Sequence, residues 1–154
     1  MATSLAELDR VDRLILRRLQ EDARRSFKEI AQEVKVSEAT IFVRVRKLIE
    51  NGVIKGFRAV VNPELVGKKT TAIVLLKAEP RSYGRALEEL LKIDSIEEIY
   101  DVTGAYYSVL KIRTNSIKEL ADIIDNMGKI EGIVGTETAV VLRTVKEDST
   151  IKVW

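Results

Sequence analysis

The 154-residue chain contains no cysteine and no histidine. The first absence removes a disulfide framework, a thiolate metal site and a cysteine nucleophile. The second removes the commonest general base and the commonest metal ligand. No apolar run approaches the ~18 residues of a membrane span. The opening stretch MATSLAELDRVDR has no basic-then-apolar signal pattern, so a cytoplasmic protein with no membrane partner is expected. There is no glycine-rich phosphate loop and no metal-ligand spacing. The adjacent carboxylates Glu97 and Glu98 fall on opposite faces of an extended strand and cannot share a site. These absences argue against an enzyme. No catalytic residue, metal or cofactor is expected.

The composition that remains is that of a folded protein. Hydrophobic residues make up 45% and charged residues 32%, enough for one ordinary domain or two small ones. Net charge is +2, unevenly spread. Residues 1–60 hold 13 Lys+Arg against 9 Asp+Glu (+4), and residues 61–154 hold 13 against 15 (−2). A basic front and a slightly acidic back suit a nucleic-acid module joined to a module with another task.

Periodicity separates the two halves. A first helix is expected over 9–21, with Leu8, Val11, Leu14, Ile15 and Leu19 forming an apolar stripe and Arg10, Arg13, Arg17 and Arg18 its solvated side. A second begins at Ser26, where Glu29 completes a capping box, and turns Phe27, Ile30, Ala31 and Val34 inward. Ser37 is the next cap. The third helix runs to about residue 51, where Gly52 suits a left-handed stop. A basic strand, resembling a wing, is expected over 53–61, broken by Asn62-Pro63. Then the rhythm changes. Strands are expected over 70–78, 96–103, 106–113 and 133–145, and helices over 82–93 (Ala86, Leu87, Leu90 and Leu91 inward) and 117–127. Gly104-Ala105 would form a two-residue type II′ turn. The order β-α-β-β-α-β is ferredoxin-like. The fold class is therefore α+β: a winged helix-turn-helix domain over 1–60, a linker over 61–69 and a ferredoxin-like domain over 70–154. The last residues, 146–154, are too few to assign, and Trp154 either packs on a neighbouring subunit or frays.

Two readings bear on function. In the third helix, at 100° per residue, Ile41, Val45, Leu48 and Ile49 fall within about 80° of one another and form the buried stripe, with Phe42 and Arg44 at its flanks. Ala39, Thr40, Val43, Arg46, Lys47 and Glu50 fall on the opposite half. An apolar Val43 is unusual on a solvated face. In a major groove, Ala39, Val43 and Phe42 would meet thymine methyls. Thr40 would reach a base edge or phosphate, Arg46 a guanine or phosphate, and Lys47 and Arg44 phosphates. Ser37 would help backbone amides grip a phosphate, and Lys55 and Arg58 would lie along the backbone. In the second half, Ala72, Val74 and Leu76 alternate with Ile73 and Leu75, so the sheet carries apolar residues on both faces, and two helices cover only one. A dimer through this domain follows.

The segments Asp9-x-x-Asp12-x-x-Ile15-Leu16-x-x-Leu19-Gln20-x-Asp22-Ala23-Arg24, Glu29-Ile30-Ala31, Val36-Ser37, Arg44-Val45-Arg46-Lys47-Leu48 and Asn51-Gly52-Val53-Ile54-Lys55-Gly56 resemble, in register, the Lrp/AsnC family, also called feast/famine regulators. Asn62-Pro63 and the second domain carry the resemblance over almost the whole chain. It implies a transcriptional regulator whose helix-turn-helix binds double-stranded DNA. It also implies a C-terminal domain that dimerises, often assembles to tetramers or octamers, and in many members binds an amino acid near the hairpin joining the second and third strands. Such members commonly carry Gly-Asp-x-Asp at that hairpin. This chain has Gly104-Ala105-Tyr106-Tyr107, so both acidic positions are lost and the tyrosines offer only hydroxyls. Plain packing and contact with a different effector both remain open for them. Sequence-specific regulation is the leading expectation. The alternative is an architectural oligomer that wraps DNA with little sequence choice and no effector.

Overall fold

The computed structural model describes residues 8–153. The chain forms two compact units, Met1–Val60 with Glu147–Trp154, and Val61–Lys146. The tail, expected in the second domain, thus groups with the first. Trp154 lies outside the described residues.

The first unit is three helices. Helix α1 (Arg10–Glu21) starts where the Asp9 carboxylate accepts the Asp12 amide, and Asp12 answers to the Asp9 amide. Helix α2 (Phe27–Val34) starts on the expected Ser26–Glu29 capping box, and α3 (Glu38–Glu50) on Ser37. Their apolar stripes meet in one core centred on Ile15, Ile30 and Ile41, each fully buried, with Leu16, Leu19, Val45 and Leu48 around them. Each such side chain contributes about 1.5–3 kcal/mol on leaving water. Two stripe assignments change. Leu16 is buried beside Ile15, whereas Ile49, at the stripe's 80° edge, is 46% exposed.

The turn between α2 and α3 rests on Lys35, at φ 58° the one described non-glycine residue in the left-handed region. After α3 the expected basic strand is absent. Residues 57–62 carry no ladder within the described chain, because a strand needs a partner and none lies beside it. The wing is therefore not formed here. A short 3-10 turn, Glu64–Val66, occupies the linker.

The second unit is the expected β-α-β-β-α-β: β1 (Thr70–Ala78), α4 (Tyr83–Leu90), β2 (Ile96–Asp101), β3 (Ser108–Thr114), α5 (Ile117–Met127) and β4 (Ile133–Val140). The sheet order is β2-β3-β1-β4, with every neighbouring pair antiparallel. Ala72, Val74 and Leu76 of β1 and Leu110 and Ile112 of β3 are fully buried, in one core with Leu90, Leu120 and Met127 from the helices. Leu91, expected inward, is 69% exposed because α4 ends before it. On the other face Ile73, Leu75 and Val109 are half-buried. That face is apolar only at its centre, since Glu98–Lys111 and Glu97–Arg113 ion pairs flank it; the irregularity of β2 between Ile96 and Glu98 breaks the expected alternation and brings both carboxylates to this one face. β4 stops at Val140 rather than 145. The hairpin loop spans 102–107, not two residues, closed by a Val102 N–H to Tyr107 carbonyl bond of 3.0 Å, with Gly104 at φ 115°.

Candidate nucleic-acid interface

Ser37 begins the site. Its hydroxyl accepts the Thr40 amide at 3.1 Å and lies 2.8 Å from the Thr40 hydroxyl. The two side chains therefore sit together at the N-terminus of α3, where amides and the helix dipole favour an anion. Behind the cap the outer face of α3 stands open, with Ala39 and Lys47 exposed and Val43 51% exposed. Phe42 is 55% exposed and tilts against Phe27 of α2, ring centroids 6.4 Å apart. A hollow of about 670 Å³ gathers Ala39, Thr40, Val43, Arg44 and Lys47 along one side of the helix, with Asp12 across from them.

Arg44 is differently placed from the rest. Its Nη1 lies 2.6 Å from Asp9 Oδ2 and 2.9 Å from Asp12 Oδ1. Its charge is thus spent on the N-terminus of α1. Its pKa is raised by the hydrogen bonds to Asp12 and Asp9. Arg46 does not line the hollow. It donates to Glu50 one turn on, at 2.7 Å, and both side chains are largely exposed, so the pair opens easily. Lys55 and Arg58 are exposed on the extended segment after α3. A helix of 10–12 Å diameter matches the ~12 Å major groove, and the outer face of α3 is exposed.

Asp9 and Asp12 were invisible as neighbours of α3, since they lie 35 and 32 residues away from Arg44. Arg44's flank position on the helical wheel was the one available signal.

The hairpin residues also part company. Gly104 and Ala105 are exposed, while Tyr106 and Tyr107 are half-buried. Tyr107 joins the second core and stacks at a tilt on Tyr83, centroids 5.1 Å apart. Tyr106 lies under Lys77 Nζ, 5.2 Å from its ring centre, and its hydroxyl is raised in pKa mainly by its bond to Glu137. The structure adds Tyr83, whose hydroxyl donates to the Asp101 carboxylate and stands 3.2 Å from Ser108 Oγ. Burial first, then Asp101, pushes the Tyr83 hydroxyl up. Sequence spacing held no sign of Tyr83 or Glu137, which reach the hairpin from other elements. Among the described residues no group of three or more acidic, His or Cys side chains could hold a metal. None of the described helices is long and apolar enough to cross a membrane.

Comparison with known proteins places both halves. Residues 8–49 match the AsnC-type helix-turn-helix domain and residues 71–151 the Lrp/AsnC ligand binding domain. The chain is 40% identical to the HTH-type transcriptional regulator FL11 of Pyrococcus abyssi, over 95% of this chain and 97% of that one. Among solved structures it is similar to Escherichia coli AsnC, with a TM-score of 0.88, 34% identity, and coverage of 94% of this chain and 98% of that one. A Neisseria meningitidis transcriptional regulator solved as a complex with L-Met superimposes with a TM-score of 0.87 over 94% of this chain and 96% of that one. At 20% identity it speaks for the fold alone. These relatives are regulators rather than enzymes. The chain belongs to the Lrp/AsnC family and is a transcriptional regulator built from a DNA-binding helix-turn-helix domain and a ligand-binding domain.

Proposed function

We propose that the protein is a dimeric, sequence-specific regulator that lays α3 in the major groove of two half-sites and answers to a small effector at the β2–β3 hairpin. One observation carries the DNA reading: the uncovered outer face of α3, where Val43 is 51% exposed beside Thr40 and Lys47. Exposed aliphatic surface among hydroxyl and ammonium groups suits thymine methyls flanked by base edges and phosphates. Ser37, Ala39, Thr40, Val43, Arg46 and Lys47 make those contacts, with Lys55 on the flanking backbone. Arg44 holds the helix in place.

Two features support assembly beyond the monomer. The centre of the open sheet face, Ile73, Leu75 and Val109, has no helix over it. The unladdered segment after α3 exposes Phe57 (48%), Val60 (98%) and Val61 (57%). Both are surfaces that a second copy would cover, and higher assembly to tetramer or octamer extends the same reading.

For the effector, Asp101 offers a carboxylate at the hairpin where Ala105 offers none. Tyr83 orients it from the helix-covered face, whereas Tyr106 and Glu137 stand on the open face of the sheet. An ammonium-bearing ligand such as an amino acid fits that chemistry. The match to a ligand-binding domain supports it, and the Neisseria relative was solved with L-Met.

The test is a footprint upstream of the protein's own gene at fixed salt, with and without mixed amino acids. Bounded, periodic protection that loosens in an Arg46→Ala, Lys47→Ala double variant and shifts with amino acids is expected. Unchanged affinity in the double variant rejects the groove assignment. Unbounded protection favours the DNA-wrapping reading.

A further inference from the structure

After β4 the described chain has no regular structure, and Leu142, Val145 and Ile151 are 96%, 88% and 70% exposed. Within this exposed tail, Ile151 is nevertheless held twice. Its N–H donates to Gln20 Oε1 at 2.8 Å, and its carbonyl accepts from Gln20 Nε2 at 3.0 Å. One carboxamide from α1 thus supplies the paired bonds that a residue on an adjacent strand would. It grips backbone rather than side chain. Two residues on, Val153 packs against the first unit's core. It borders an open hollow of about 210 Å³ whose other walls include Leu14 and Val34 and the long side chains of Arg13 and Arg17. Gln20 is itself exposed, and both ends of its carboxamide bond to the Ile151 backbone.

We infer that the α1–α2 surface of the DNA-binding unit is a docking groove for the chain's own segment around Ile151–Val153, and that this docking is a releasable second tether. The chain passes between the two units twice, at Val60–Val61 and at Lys146–Glu147. The first passage leads straight from α3. The second constrains the DNA-binding unit only while the groove holds the tail. Two neutral hydrogen bonds and one valine are a weak hold, which suits release. A docked tail narrows the orientations open to the DNA-binding unit, so a dimer loses less entropy when both α3 helices engage one duplex. Release lowers the effective concentration of the second helix at its half-site. This consequence rests on the dimeric DNA-binding reading above; the docking does not.

The test uses the full chain, wild type and Gln20→Ala, a substitution on an exposed helical position that leaves the core alone. Amide hydrogen exchange at Ile151 is measured by NMR, and affinity is measured at one salt concentration for a duplex with two half-sites and for one with a single half-site. The Ile151 amide is expected to be protected in the wild type and to exchange about tenfold faster in the variant. The variant should bind the two-site duplex about 3- to 10-fold more weakly and the single-site duplex equally well. An Ile151 amide exchanging at the free-peptide rate in the wild type overturns the docking. Lost protection with equal effects on both duplexes, or with none, overturns the tether. If the wild type binds neither duplex, the DNA reading and the tether fall together, and the exchange result still decides the docking.

Discussion

The Arg44 guanidinium lies 2.6 Å from the carboxylate of Asp9, the residue that caps α1. With the 2.9 Å contact to Asp12, it fastens the middle of α3 to the start of α1. The Asp9 carboxyl is pushed up by burial, but the Asp12 amide and Arg44 outweigh that and hold it below its ordinary value. Arg44→Gln should therefore cost about 1 kcal/mol of domain stability, or roughly 4–8 °C in Tm. It should barely change the salt dependence of DNA binding. Lys47→Gln should do the reverse, lowering the log K against log salt slope by about 0.9. Calorimetry and salt titrations check both, and an equal loss of slope would show Arg44 reaching phosphate.

Acid should loosen the DNA-binding unit. Glu21 and Glu33 are both held below the ordinary carboxylate range by hydrogen bonds from Arg18, and Glu29 by its capping bonds to Ser26. Asp9 is lowered as well. The unfolded chain then binds more protons than the folded one. The stabilisation is full above the unfolded pKa values near ~4 and is lost as pH falls through the depressed folded ones. Protection factors of the α1 and α2 amides, with the intrinsic pH dependence of exchange divided out, should fall between pH 5 and pH 3; a flat profile would mean that water already screens these exposed pairs.

Lys35 sits in the left-handed region at φ 58°, closing α2 where glycine is the usual residue. Relief of its Cβ crowding outweighs the extra freedom glycine gives the unfolded chain. Lys35→Gly should stabilise the unit by about 0.5–1 kcal/mol. A fall in Tm would contradict this.

Gly132 is the opposite case. It has φ 94°, its carbonyl accepts the Glu79 amide at 2.8 Å, and a Cβ there would come 2.6 Å from Ser82 Cβ and 3.1 Å from Ser82 backbone. Strain and overlap add, so Gly132→Ala should cost about 2–4 kcal/mol. Denaturant unfolding of the ligand-binding unit measures it. A loss below about 1 kcal/mol would mean that the turn ahead of α4 shifts to make room.

Features that depend on near neighbours were legible in the chain alone. The caps at Ser26 and Ser37, the stripe Ile41–Val45–Leu48, the 2-residue alternation of β1 and the β-α-β-β-α-β order all follow from bonds and periodicities within a few residues. The family resemblance rests on the same local runs; the helical wheel left Ala39, Val43, Arg46 and Lys47 outside the core, where they are exposed, and misassigned only Ile49 among its stripe. Tertiary structure decided whatever requires a distant partner. The basic stretch after α3 forms no strand because β structure depends on a second chain segment to pair with. The hairpin loop opens to 102–107 because the register of β2 on β3 sets where pairing ends. Arg44 turns to Asp9 and Asp12, Tyr83 to Asp101, and Gln20 to Ile151, across 35, 32, 18 and 131 residues. No periodicity carries such distances. They are set by which surfaces the packed cores bring together, and that is settled only when the chain is folded.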